Sequence, residues 1–163
     1  MTCLERLSAY LRENRVSYTI HHHPTAYTAS DVAAYEHAPP HTFAKVVMAF
    51  IDGRLAMLVV PADTRADLAR LAEIIGAREI CLADEREFAP VFPDCEPGAM
   101  PPFGNLYNIP VYLDRDLAEC ETIMFQAGTH QDAISMRSED FIRLARPFIA
   151  SFERDVHMLA GRF

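Results

Sequence analysis

The sequence predicts an α/β domain of the α+β type: a mixed or antiparallel sheet with helices around it. Three observations lead there. Strand-like and helix-like segments are mixed without the strict β-α-β succession of a doubly wound sheet. Two apolar runs rich in β-formers, Ala44–Ile51 and Arg54–Val60, flank Asp52-Gly53, a dipeptide suited to the positive φ angles of a tight hairpin. Neither G-x-G-x-x-G nor G-x-x-x-x-G-K-S/T occurs, so no nucleotide-binding fingerprint is present.

The elements follow in order. Thr2 and Glu5 have the spacing of a capping box, and Leu4, Leu7 and Leu11 recur at helical intervals. That helix runs to about Asn14. Ser17–His21 reads as a short strand. Thr28 or Ser30 caps a short helix through Val32, Ala33 and Ala34, which Pro39-Pro40 breaks. The hairpin comes next, and Pro61 ends its second strand. Asp63 or Thr64 caps a helix carrying Leu68, Leu71, Ile74 and Ile75, with Gly76 as its stop. Glu79–Leu82 reads as a strand and Asp84–Phe88 as a short helix. Three prolines stiffen the loop from Glu96 to Gly104, leaving the amides of Gly98, Ala99 and Met100 free to face a ligand. Strands follow at Val111–Leu113, Thr122–Phe125 and Ala133–Met136. Ser138 caps a helix through Phe141, Leu144 and Ala145. The tail from Phe148 to Met158 has helical periodicity, suited to packing on the domain or on a second subunit. No repeat or linker interrupts residues 1–163, which read as a single domain.

Composition narrows the class. Half of the 163 residues are hydrophobic and 23% are charged, the balance of a globular chain with a real core. No apolar stretch approaches the ~18 residues of a membrane span, and the N-terminus lacks the layout of a secretory signal. A cytoplasmic protein is expected. The net charge of −8 argues against a large nucleic-acid surface, but not against a grip on one RNA end by a few local cations. Such binding would be salt-sensitive. The four cysteines form no C-x-x-C pair, so free thiols are expected. Cys95, beside the proline-rich loop, has a nucleophile reading, yet nothing marks a partner base.

Lys45 is the only lysine; the other fourteen of the 15 basic residues are arginines. It sits in the apolar run Phe43–Phe50, near the start of a central strand. An ammonium in apolar surroundings is costly unless it has a partner or a task. A lysine snorkelling from an edge strand is the plain alternative. Three elements are candidates to converge: Lys45, the Gly98-Ala99-Met100-Pro101-Pro102 loop, and Gly128-Thr129-His130 after a strand. Together they offer a cation, backbone donors, and an imidazole with a hydroxyl neighbour. That set suits hydrolysis of an activated ester near an anionic group. His130 also reads as a satisfied turn histidine. In His21-His22-His23, a strand would put His21 and His23 on one face, which invites a metal reading. No carboxylate–histidine motif accompanies them.

The chain resembles the YbaK/prolyl-tRNA synthetase-associated domain family of free-standing trans-editing aminoacyl-tRNA deacylases. The matching motifs run in order from about Leu4 to Ala145. They are His23-Pro24-Thr25-Ala26, Ala44-Lys45-Val46-Val47, Val60-Pro61-Ala62-Asp63, the Glu96–Gly104 loop, Ile109–Asp114, and Gly128-Thr129-His130. The resemblance implies a mixed, partly barrel-like sheet wrapped by helices. It implies that Lys45 is the key functional residue, and that the loop from Gly98 to Pro102 surrounds the aminoacyl group. Some members carry Ser or Ala where this chain has Thr129, a position that bears on pocket size. The expected activity is hydrolysis of the ester of a mischarged tRNA, with alanyl-tRNA(Pro) first and cysteinyl-, seryl- and threonyl-tRNA behind it. Met100 and Thr129 are the expected pocket walls. The implied partners are the acceptor end of aminoacyl-tRNA and an aminoacyl-tRNA synthetase, for a monomer or homodimer. No cofactor and no metal is implied. A binding module that captures a small amino acid without turnover is the alternative.

Metal analysis of tag-free protein is expected to find no stoichiometric zinc at His21, His22 or His23. Stoichiometric metal, with activity lost on chelation, would overturn that expectation.

Overall fold

The computed structural model describes residues 1–155. Helix α1 (Cys3–Glu13) opens on the expected capping box, Thr2 with Glu5, and buries Leu7 and Leu11 completely. Each such leucine contributes about 1.5–3 kcal/mol of transfer free energy. Strand β1 (Tyr18–His22) follows, then α2 (Ala29–Tyr35), capped by Thr28. The hairpin of β2 (Phe43–Ile51) and β3 (Arg54–Pro61) pairs from Ala44↔Pro61 to Ile51↔Arg54. Its turn uses φ 48° at Asp52 and φ 85° at Gly53, and the Asp52 carboxylate accepts the amides of Arg78 and Glu79. Strand β4 (Thr64–Ala66) precedes α3 (Leu68–Ile75); then come β5 (Ile80–Leu82) and α4 (Glu85–Phe88). After the proline-rich loop run β6 (Val111–Asp114), α5 (Arg115–Ala118), β7 (Thr122–Gln126), β8 (Asp132–Arg137) and α6 (Ser138–Ala145). Two short strands follow, β9 (Phe148–Ala150) and β10 (Glu153–Asp155).

Three sequence expectations are corrected. The cap of α3 is Asp67, which accepts the Arg70 amide, rather than Asp63 or Thr64. The Thr64 hydroxyl bonds Pro61 O instead, which holds Thr64–Ala66 extended for pairing with β10. Helix α6 starts at Ser138 itself, after Arg137, and the Ser138 hydroxyl is buried without a partner. The tail read as helical is strand over 148–150 and 153–155, because the exposed edges of β6 and β4 offer backbone partners there. The rest of that tail lies outside the described residues.

One mixed sheet of eight strands runs β1-β8-β7-β2-β3-β6-β9, with β5 also on β2. Strand β2 is its axis. It pairs with β3 along its length, but its other edge changes partner, from β7 at Phe43 and Ala44 to β5 at Ala49–Ile51. Side chains alternate across the sheet. Ala44 and Met48 enter the main core with α1, α6 and the proline-rich loop. Phe43, on the opposite face, packs with Ala29, Val32 and Ala33 of α2. Ala49, on the same face as Phe43, packs with Leu71 of α3 and Phe152. Lys45 leaves this second face between the two apolar patches.

Buried Asp114 anchors the chain after β9, accepting the amides of Phe152 and Glu153 at 2.9 Å each. Glu153 beside it is pushed up to about 7 by burial, the Asp114 charge, and a hydrogen bond and charge from Asp116. His41 also titrates above its ordinary value: burial opposes this, but Asp63, Asp116 and Glu153 outweigh it. Both folded values are raised, so folding takes up protons here and both contributions fall as pH rises. For Glu153 the contribution is complete below its ordinary 4.5 and is lost through about 7. Melting from about pH 5 to about pH 8 is expected to show wild-type stability declining, and Glu153→Gln declining less. Parallel profiles for the two proteins would remove Glu153 as the cause.

Candidate functional site

Lys45 is half-buried, and its ammonium donates to the carbonyl of Thr64. An ammonium has three donors, so two remain without a partner among the described residues. Its pKa is lowered, first by burial and then by the charge of Arg65, with Asp63 opposing. Lys45 lines a cavity of about 500 Å³ together with Val47, Arg65, Asp67, Leu82 and Arg154 among others. Such a volume suits a nucleoside-sized ligand. The cavity exists because the β2 face is covered by α2 on one side and α3 on the other, leaving the strip at Lys45 and Val47 open. Val47 and Leu82 make part of its floor apolar, which explains the desolvation of the lysine.

The loop and the histidine turn form a second constellation. Glu96 N donates to Gly128 O and Gly128 N to Ala99 O, both at 2.8 Å. His130 Nε2 bonds Pro97 O at 2.9 Å, and its buried Nδ1 has no partner. A carbonyl only accepts, so Nε2 is the donor in this contact, and the ring is held by the loop on one side only. Tyr27, largely exposed, lies against the ring with centroids 4.8 Å apart. Gly98 and Gly128 both have positive φ, 85° and 97°. At Gly128 a Cβ would also meet Cys3 Sγ at 2.7 Å, so only glycine fits there.

The structure thus brings the loop and the turn together but not onto Lys45. None of the lysine's described contacts reaches either. Strand alternation is the reason: Met100 and Phe103 of the loop pack in the cluster of Ala44 and Met48, on the face of β2 opposite Lys45. Two of the three loop amides expected to be free are in use, Gly98 N on Met100 Sδ and Ala99 N on Glu96 O. Pro101 and Pro102 are buried with Met100. Met100 itself is 3% exposed and belongs to the core, not to a cavity wall. The Thr129 hydroxyl donates to Asp132 at 2.6 Å and accepts Gln131 N, so it closes its own turn.

The remaining candidates are placed as follows. His21 contacts Ser135 and Glu36, His22 contacts Asp132, and His23 contacts Pro24 O, so the three rings have different partners. Cys95 Sγ lies 2.8 Å from Cys3 Sγ and donates to it. That bond and burial push the Cys95 thiol up, while Cys3 is lowered chiefly by accepting it. A half-buried thiol held in its protonated form is a poor nucleophile. Sequence reasoning misses Arg65, Leu82 and Arg154. It puts Arg65 at the start of a helix and Arg154 within another. The alternation Thr64-Arg65-Ala66 is the available signal for a strand, but three residues are too few to read.

Comparison with known proteins adds to this geometry. The family described as Aminoacyl-tRNA editing domain matches residues 23–144. The Multifunctional Ser/Thr-tRNA deacylase ProXp-y of Escherichia coli (strain K12) is 31% identical over 99 residues, covering 60% of this chain and 59% of that protein. The chain therefore matches somewhat under two thirds of that relative's length. A solved structure proposed to be a trans-editing enzyme for prolyl tRNA synthetase superposes with TM-score 0.81 at 18% identity, over 94% of this chain and 98% of that one. A second, of a protein described as hypothetical, gives TM-score 0.82 at 15% identity, over 91% and 99%. At such identities the two structures show a shared fold. The family match spans Lys45, the loop and the histidine turn alike, and the chain belongs to the aminoacyl-tRNA editing domain family.

Proposed function

We propose that this chain hydrolyses the ester of mischarged aminoacyl-tRNA, acting in trans to release a small amino acid. The observation that carries the reading is Lys45: the chain's only lysine, half-buried in a cavity of about 500 Å³, within the span matched by the editing family. The terminal adenosine and its ester enter that cavity. The ester is already activated, so no protein nucleophile is needed and an oriented water suffices. As the water adds to the carbonyl carbon, negative charge builds on the carbonyl oxygen. The two free donors of the Lys45 ammonium stabilise that charge or the adjacent ribose and phosphate oxygens. The Thr64 carbonyl fixes the ammonium so that it need not reorganise during the reaction. Collapse breaks the bond to the ribose oxygen, which takes up a proton, and the free amino acid leaves.

Alanine is the first expectation for the amino acid, and the name of the Escherichia coli relative points to serine and threonine. The proposal covers all three as small side chains. A hydrophobic pocket separates neighbours differing by one methylene by only about 1–3 kcal/mol, so graded activity across small residues is the natural outcome. The apolar walls available to a side chain in this cavity are Val47, Leu68 and Leu82.

Purified chain is expected to deacylate at least one of Ala-, Ser-, Thr- and Cys-charged tRNA faster than the uncatalysed rate. Lys45→Ala is expected to remain folded, because the side chain is half-exposed, and to lose roughly a hundredfold in turnover. Lys45→Arg should not restore it, since a planar fork cannot occupy the place of a compact ammonium. Near-wild-type turnover by folded Lys45→Ala would sink the reading.

The pH dependence gives a second check. Activity requires the charged ammonium, and its pKa lies below the ordinary 10.5. After subtraction of hydroxide-driven hydrolysis, kcat/KM should therefore fall on an alkaline limb centred below that value. A profile flat past 10.5 would mean that the ammonium is not the group in use.

A further inference from the structure

Arg65 and Arg154 are partners across the β4–β10 pair, so their side chains leave the same face of that ribbon. Both line the Lys45 cavity. Like charges placed directly opposite on two antiparallel strands repel and weaken the pair. Arg65 is also close enough to help lower the pKa of Lys45. Three cations therefore face one cavity in a chain of net charge −8. The cavity's one carboxylate, Asp67, is occupied in capping α3. Among the described residues, none of the three cations makes a salt bridge. The first turn of α3, at Leu68 and Ala69, lines another wall and adds the positive end of its dipole.

Lys45 is enough for the carbonyl oxygen, and two further cations would only repel the ammonium of the aminoacyl group, so the arginines serve another part of the substrate. The anion that the same substrate carries is the phosphodiester on the other side of its terminal nucleoside. We propose that Arg65 and Arg154 form a phosphate clamp at the Lys45 cavity, holding a phosphodiester of the RNA acceptor end while the ester is presented to Lys45. The clamp rests on the reading of this cavity as the deacylation site. A guanidinium fork matches two phosphate oxygens at once, which an ammonium cannot do. Two arginines on paired strands present two such forks from one rigid ribbon. The ribbon is fixed to the domain through Asp114, which accepts the amides of Phe152 and Glu153. Arg65 and Arg154 are positioning residues: they bind and orient, and take no part in the chemical step.

The test uses binding that does not depend on turnover. The probe is the trinucleotide cytidylyl-cytidylyl-adenosine carrying no amino acid, titrated into wild type, Arg65→Gln, Arg154→Gln and the double variant over a range of salt. Each single substitution is expected to weaken binding about tenfold. In the double variant the slope of log K against log salt should be shallower by roughly 0.7 for each phosphate that is no longer neutralised. Lysine at either position should rescue only in part. Inorganic phosphate at equal concentration should compete weakly; if it binds as tightly as the trinucleotide, the clamp serves free phosphate and the RNA assignment is wrong. Melting of the unliganded variants separates binding from structure. Relief of the cross-strand repulsion should leave each variant as stable as wild type or more so, whereas a structural arginine would lower the midpoint. Unchanged affinity and salt slope in the double variant overturn the clamp. In deacylation, KM should rise with kcat nearly constant. Clamp binding without any deacylation would overturn the proposed activity alone; deacylation with KM unaffected by the double substitution would overturn the clamp alone.

Discussion

Strand β2 is the constraint on which the rest of this structure depends. It pairs along its whole length with β3, and its other edge is shared between β7 and β5. Every large cluster of buried side chains therefore touches it. The period of two along the strand then decides what each residue meets. Ala44 and Met48 close the main core from one side, while Phe43 and Ala49 anchor two separate clusters on the other. Lys45 stands where those two clusters leave the face uncovered. A slip of one residue would drive the ammonium into the main core and expose Met48. The apolar surroundings that lower its pKa thus also hold its position.

Local charge and global charge oppose each other. The chain is acidic, at −8, yet Lys45, Arg65 and Arg154 share one cavity. Long-range attraction of an RNA is poor for such a molecule, so the proposed substrate would be held at close range by a few local cations. Acidic groups are concentrated elsewhere. Asp114, Asp116 and Glu153 sit together at the junction of β6, α5 and β10, where Asp114 organises backbone and burial with the two aspartates pushes Glu153 up. The same junction carries Arg154 one residue further on. The placement of a cation at the cavity therefore depends on a buried carboxylate at the junction.

The proline-rich loop and the histidine turn have a different character. Their polar groups are spent largely on each other: Glu96 on Gly128 and His130, Ala99 on Gly128, Pro97 on His130. Gly128 packs against Cys3 at the start of α1, where no larger residue fits. This assembly is a rigid corner that ties α1 to the β7–β8 connection. Tyr27, tilted against His130, extends it toward α2, which also covers the sheet beside Lys45.

The sequence by itself determined the mixed fold class, the helix α1 with its capping box, the hairpin at Asp52-Gly53, and the singularity of Lys45 as the one lysine in an apolar strand. Each is a local signal. A capping box acts within four residues, a positive-φ turn within two, and a lone lysine in an apolar run is conspicuous wherever the run goes. The order of the motifs carried the family as well, because order survives when identity is low. What only the tertiary structure decided was convergence. It turned Thr64–Ala66 and the tail at 153–155 into a paired ribbon, which neither segment could signal alone, since a three-residue strand exists only by virtue of its partner. It thereby brought Arg65 and Arg154, far apart in the chain, to one cavity. It placed Met100 in the core and Lys45 on the opposite face of β2, a consequence of sheet alternation and of which helices cover which face. Those are long-range packing choices, set by the burial of whole faces rather than by any short stretch of sequence.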